Sequence, residues 1–138
     1  MDIYSIQKRS EVMRCVKARD TAPEVTVRRI LHKLGFRYRL HVPSLPGRPD
    51  IVLPKHRRII FVHGCFWHLH RHCKASRLPK SRRAWWRKKL KGNVFRDSIA
   101  FEQLKELGWK VDVIWECETQ KQHNLVSRLT TLMGVPLT

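Results

Sequence analysis

Acidic residues are scarce in this sequence. Its 138 residues include 11 Asp and Glu against 29 Lys and Arg, a formal charge of +18. Between Asp50 and Asp97 there is no acid at all, while fourteen Lys and Arg fall in that gap. A solvated helix face intersperses the two signs, so this stretch is not an ordinary charged surface. A field of this sign and size favours polyanions over small neutral substrates, which makes nucleic acid the expected partner. No apolar run approaches the ~20 residues needed to span a bilayer, so no membrane association is expected. No apolar leader precedes a cleavage site, and the four cysteines at positions 15, 65, 73 and 117 are therefore expected in a reducing cytoplasm rather than in disulfides. Repeats and low-complexity segments are absent, and the length suits one domain, 1–138, rather than two independent ones.

Ser5 to Arg19 has the pattern of a short basic helix with few apolar contacts, an N-terminal arm (1–19) of the kind that orders on a partner. Thr21-Ala22-Pro23-Glu24 reads as a capping box, with Thr21 at the N-cap and Glu24 reaching back to its amide. Val27, Ile30, Leu31 and Leu34 follow at helical spacing, and Gly35 stops the helix. Extended segments are predicted over Arg37–Val42, Asp50–Leu53 and Arg57–Val62, forming a meander. A helix is predicted from about Ser81 to Leu107 with an interruption at Gly92, then a strand over Trp109–Trp115 and a closing helix over Gln122–Met133. This order implies a mixed sheet covered by helices, an α/β chain of the α+β kind.

Chemistry concentrates in Phe61 to Cys73, FVHGCFWHLHRHC, where two thiols, four imidazoles and a Phe-Trp pair follow an apolar strand. Cys65, His70, Cys73 and the distant Cys117 make a tetrahedral Zn²⁺ set, with His72 as an alternative ligand. Cys15 has no matching partner. His63 or His68 is left to act as a base or as a supporting hydrogen-bonder. Asp50, in the turn LPGRPD and alone among basic residues, suits a Mg²⁺ ion facing phosphate. Glu24 is accounted for by its cap alone. Phe66-Trp67 and Trp85-Trp86 stand amid Arg and Lys, a mixture suited to stacking on bases, although a helical turn should bury one of the second pair.

LPGRPDIVLP, FVHGCFWH, N-x2-RD (Asn93, Arg96, Asp97), L-x3-GW-x-V (Leu104, Gly108, Trp109, Val111) and IWEC (Ile114 to Cys117) closely resemble the Vsr family, the very short patch repair DNA mismatch endonucleases. The resemblance starts near Met13, with MRCVKARDTAPE, and runs to about Glu118. It implies a restriction-endonuclease-like fold with a structural zinc site, and a Mg²⁺-dependent nick in duplex DNA on the 5′ side of the thymine of a T:G mismatch left by deamination of 5-methylcytosine. It also implies that Asp50 and the backbone carbonyl of Val62 bind Mg²⁺. His68 then activates water with support from His63 and Glu24, and Phe66, Trp67 and Trp86 intercalate. Met13, Arg14, Lys88, Lys89, Asn93 and Arg96 are expected as further DNA contacts. The implied protein works as a monomer in the bacterial cytoplasm, at the nucleoid. A zinc-stabilised DNA-binding module without catalysis, or a nuclease for other lesions, are the competing readings.

Overall fold

The computed structural model describes residues 20–135, so the basic arm, with Met13, Arg14 and Cys15, lies outside the described residues. The first described helix, α1, is Ala22–Lys33. Thr21 caps it, its hydroxyl accepting from the Glu24 amide at 3.3 Å, and the chain leaves through Gly35 at φ +96°, a left-handed conformation that glycine adopts without strain. Only half of the predicted capping box forms. The Glu24 carboxylate is buried and turns to Arg28 and His41 instead of the Thr21 amide, because two charged or polar donors outcompete one backbone N–H.

Strands β1 (Arg39–Leu40), β2 (Ile51–Leu53) and β3 (Arg58–His63) form the predicted antiparallel meander. β1 is shorter than Arg37–Val42 because His41 takes a left-handed backbone, φ +49°, which ends the extended run. Helix α2, Arg83–Glu106, returns the chain so that β4, Lys110–Trp115, pairs parallel to β3, giving the sheet order β1-β2-β3-β4. The expected break at Gly92 does not occur. An interior glycine costs about 1 kcal/mol against alanine, a local penalty that a helix anchored by Trp86, Leu90, Ala100 and Leu104 tolerates. Helix α3, Gln122–Met133, closes the described structure.

Strand alternation divides the core in two. Ile51, Leu53, Ile60 and Ile114 pack with Val27, Ile30 and Leu31 of α1 and Leu125 and Leu129 of α3 on one face. Val52, Ile59 and Phe61 pack with Leu104 of α2 on the other. Both faces of the sheet are covered, and truncating a side chain such as Ile60 to alanine should cost about 2–5 kcal/mol. Gly47 makes a close approach possible on the second face, since a Cβ there would stand 2.8 Å from the Cβ of Ala100. Among the described residues no helix is long and apolar enough to cross a membrane.

Candidate active site and metal centre

The β3 and β4 strands run parallel with His63 opposite Trp115, so they end at the same edge of the molecule. Residues just beyond each strand are thereby brought side by side, and α2 passes over the face to which Ile59, Phe61 and His63 point by twofold alternation. Two clusters of chemically active side chains grow from this edge.

The first begins with Asp50, which directly precedes β2. Its Oδ2 accepts from the Val62 amide at 2.8 Å. Burial raises its carboxyl to about 6 against the opposing effect of the Val62 bond, with the Glu24 carboxylate adding to the rise and His41 and His68 lowering it. His63, 5% exposed, stacks flat on His68 with ring centroids 3.7 Å apart and planes 8° apart. Burial, helped by the neighbouring His68 ring, holds His63 down at about 3, while Asp97 works in the other direction. His68 Nδ1 donates to Asp97 Oδ2 at 2.6 Å, and that bond fixes the tautomer in which Nε2 carries the lone pair. The donor atoms of His63, His68 and Asp97 lie within 4.8 Å of one another. The sequence reading assigned Asp97 no role. The available signal was its place as the first acid after Asp50, on a helix destined to cover the sheet.

Glu24, from α1, joins the same neighbourhood. Its Oε2 accepts from Arg28 Nη1 at 3.1 Å and from His41 Nε2 at 2.7 Å, and Arg28 Nη2 also reaches Asp20 at 3.0 Å. Arg28 and His41 were not anticipated either.

The second cluster is made of Cys65, His70, Cys73 and Cys117, whose donor atoms lie within 4.8 Å of one another. Cys65 stands two residues past His63 and Cys117 two past Trp115, so the parallel register alone sets them side by side. The Cys117 amide donates to Cys65 Sγ at 3.4 Å, and His70 Nδ1 lies 3.5 Å from Cys117 Sγ with its ring stacked on Trp115, centroids 4.1 Å apart. His72 is exposed and outside the cluster. Burial pushes the Cys65 thiol up to about 12 and raises Cys117 as well. Three converging sulfurs and an imidazole are a donor set able to hold a metal ion, and a cation would displace their protons.

Between the clusters in sequence, Phe66 and Trp67 are half-buried at the surface, edge-on to each other with centroids 5.2 Å apart. Trp86 is only 3% exposed and packs behind them, 5.4 Å from Phe66 and 6.0 Å from Trp67, while Trp85 on the outside is 43% exposed with Arg82 against its ring. Successive helical residues point about 100° apart, and Trp86 shares the inward stripe with Leu90, Ala100 and Leu104. Asn93 Nδ2 donates to the Trp67 carbonyl at 3.0 Å and its Oδ1 accepts from Arg96, so this pair braces the aromatic loop from within. Lys88 and Lys89 are exposed.

A strongly basic chain, a half-buried carboxylate and a histidine held by a second carboxylate suit the hydrolysis of a nucleic-acid phosphodiester. The family model for the DNA mismatch endonuclease Vsr matches residues 1–75. The chain is 43% identical over 132 residues to the Type II nicking enzyme V.XorIIP of Xanthomonas oryzae pv. oryzae, covering 96% of each. It is 40% identical over 130 residues to the DNA mismatch endonuclease Vsr of Escherichia coli, covering 94% of this chain and 83% of that protein. To the Type II nicking enzyme V.NmeAIP of Neisseria meningitidis serogroup A it is 41% identical over 132 residues, 96% of this chain and 94% of the other. The chain belongs to the Vsr family of DNA mismatch endonucleases. It is an endonuclease that acts on DNA, and the reading as a binding module without catalysis falls away.

Proposed function

We propose that this enzyme nicks one strand of a duplex on the 5′ side of the thymine in a T:G mismatch, with Mg²⁺ as cofactor, in very short patch repair. The observation that carries the chemistry is the His68–Asp97 bond, which leaves Nε2 as the proton acceptor on the exposed side of a histidine pair. The Asp50 carboxylate and the Val62 carbonyl fit a hard divalent cation. A strand residue's N–H and C=O point toward the same neighbour, and the Val62 N–H already points at Asp50. When bound there, Mg²⁺ would polarise the scissile phosphate and make a ligated water more acidic.

The protein's own residues supply the rest. His68 takes the proton from the attacking water, and Asp97 orients the ring and stabilises the imidazolium that results. His63 is too buried to reach substrate and supports His68 by stacking on it. Glu24 supports the Asp50 end of the site. Phe66 and Trp67 form the wedge, and Trp86 backs it and would follow it into the stack if the loop opens on DNA. A wobble pair is cheaper to unstack than a Watson-Crick pair, so a wedge costing a few kcal/mol per step discriminates in favour of the mismatch. Lys88, Lys89 and Arg96, with Asn93 and, outside the described residues, Met13 and Arg14, contribute DNA contacts, and those made by the Lys and Arg side chains weaken with salt. Cys65, His70, Cys73 and Cys117 hold a structural Zn²⁺, the ion that three sulfurs and one imidazole suit best. The enzyme acts as a monomer in the bacterial cytoplasm, at the nucleoid.

The test is a nicking assay on duplexes labelled in each strand, matched or carrying one T:G pair, with and without Mg²⁺. A single product, 5′ to the mismatched thymine and only with the cation, is expected. Equal cutting of the matched duplex would overturn the mismatch reading.

A further inference from the structure

His41 does not belong to the set of residues given roles so far, yet the fold makes an exception for it. Its backbone is left-handed at φ +49°, a region that side chains with a Cβ rarely occupy and that persists where surrounding contacts over-determine it. Two contacts do so. Its amide donates to the Asp50 carbonyl at 3.1 Å, and its Nε2 donates to Glu24 Oε2 at 2.7 Å, with the two side chains only 10% and 3% exposed. Arg28 donates to the same Oε2. Both donors thus fall on one oxygen of Glu24, and among the described residues no donor reaches Oε1. A buried carboxylate oxygen needs a partner.

Resting on the catalytic site read above, we propose that His41 is a positioning residue for nicking: it pins Glu24 by Oε2 beside Asp50, where Glu24 would support a divalent cation held by Asp50. Among the described residues, His41 is the one that hydrogen-bonds to both Asp50 and Glu24, by its main chain at Asp50 and its ring at Glu24. A group acting in this way alters the rate at the bound complex more than DNA affinity.

Single-turnover nicking with enzyme in excess, DNA affinity and thermal stability would be measured for His41→Ala, His41→Gln, Glu24→Gln and the His41→Ala/Glu24→Gln double variant, beside Asp50→Asn. Alanine and glutamine meet the same backbone strain, so the comparison isolates the side-chain donor. A fall of roughly 10-fold or more in His41→Ala at little changed affinity is expected. His41→Gln, whose amide nitrogen can take the place of Nε2, should recover most of the rate, and the double variant should be no slower than Glu24→Gln. A wild-type rate in His41→Ala, equal loss in His41→Gln and His41→Ala, or additive losses in the double variant would each overturn the proposal. If Asp50→Asn is inactive and one of these appears, this inference alone fails. An active Asp50→Asn would overturn the site reading and this inference with it.

Discussion

Residues 63, 65, 68 and 70 alternate between two destinations: His63 and His68 go to the carboxylate cluster, Cys65 and His70 to the thiol cluster. The two clusters share one loop and one strand edge, yet they are built in opposite ways. The thiol cluster is closed, since its four donors lie together and would leave a tetrahedral ion no vacant position for a water. The carboxylate cluster is open. His68 uses one ring nitrogen on Asp97, and among the described residues no donor reaches the second carboxylate oxygen of Glu24. A site that holds the chain together satisfies all its donors internally, and a site that does chemistry leaves some of them for the substrate. Interleaving them puts His68, the proposed base, on the same loop as three donors of the thiol cluster, with its own contact to Asp97.

The comparison breaks most sharply at Asp50. Asp50→Asn should reduce nicking to background while DNA affinity and the metal content of the thiol cluster stay as they were, because only the open site loses a charge. Gel-shift titration, metal analysis and the nicking assay on one preparation would show this. An Asp50→Asn protein that nicks near the wild-type rate would remove the carboxylate from the mechanism.

Next in size is the base. His68→Ala should lower the single-turnover rate by roughly 10²-fold or more, and Asp97→Asn by about 10-fold to 100-fold, since Asp97 acts through the ring it orients. Affinity should change much less in both. If His68→Ala instead lost metal and stability together, the division between the two clusters would be wrong at that residue.

A smaller effect is expected at the wedge. Stacking on an aromatic is worth about 1–3 kcal/mol per base, so Trp67→Ala should cut the preference for T:G over matched duplex by roughly 10-fold. Salt-dependent affinity for matched DNA should persist, because Lys and Arg carry it. Equal loss on both duplexes would make Trp67 a packing residue.

Local pattern was enough to read the helices α1 and α3, the meander and the strand at Lys110–Trp115, because each carries its apolar period and its stop signal within a few residues. The donor set of the thiol cluster was legible too, as residue types that have few other reasons to crowd a polar loop. Choosing His70 over His72 was not, since that depends on where the loop turns, and the left-handed backbone at Leu69 and His72 is invisible in a spacing count. Asp97 and His41 were missed for a common reason: each pairs across the fold, His68 to Asp97 over 29 positions and His41 to Glu24 over 17, and no local motif encodes such a pairing. Arg28 stands four residues after Glu24 on one helix, a local spacing that was open to reading. Trp86 shows the converse: membership of an aromatic pair was readable, but which member faces inward needed the packing of α2.

The smallest effect on nicking, and the sharpest test of the division, belongs to His70. It donates nothing to the carboxylate cluster; its ring lies on Trp115 and its Nδ1 at Cys117. His70→Ala should therefore release the proposed Zn²⁺ and lower the melting temperature by about 5 °C or more, as expected when a cross-link between residues distant in sequence is lost. Nicking per correctly folded molecule, measured at a temperature well below that transition, should stay within about 3-fold of wild type, because four protein ligands leave the zinc no part in activating water. His72→Ala, exposed and outside the cluster, should change neither metal content nor melting temperature. The loop itself supplies the stricter outcome. His68 lies only two residues from His70 and is held by Asp97 on α2, so if that bond suffices to keep the base in place, removing the zinc ligand leaves the rate intact. A His70→Ala enzyme that is folded, free of zinc and slowed as much as His68→Ala would mean that the thiol cluster positions the base directly, and the two sites would have to be treated as one.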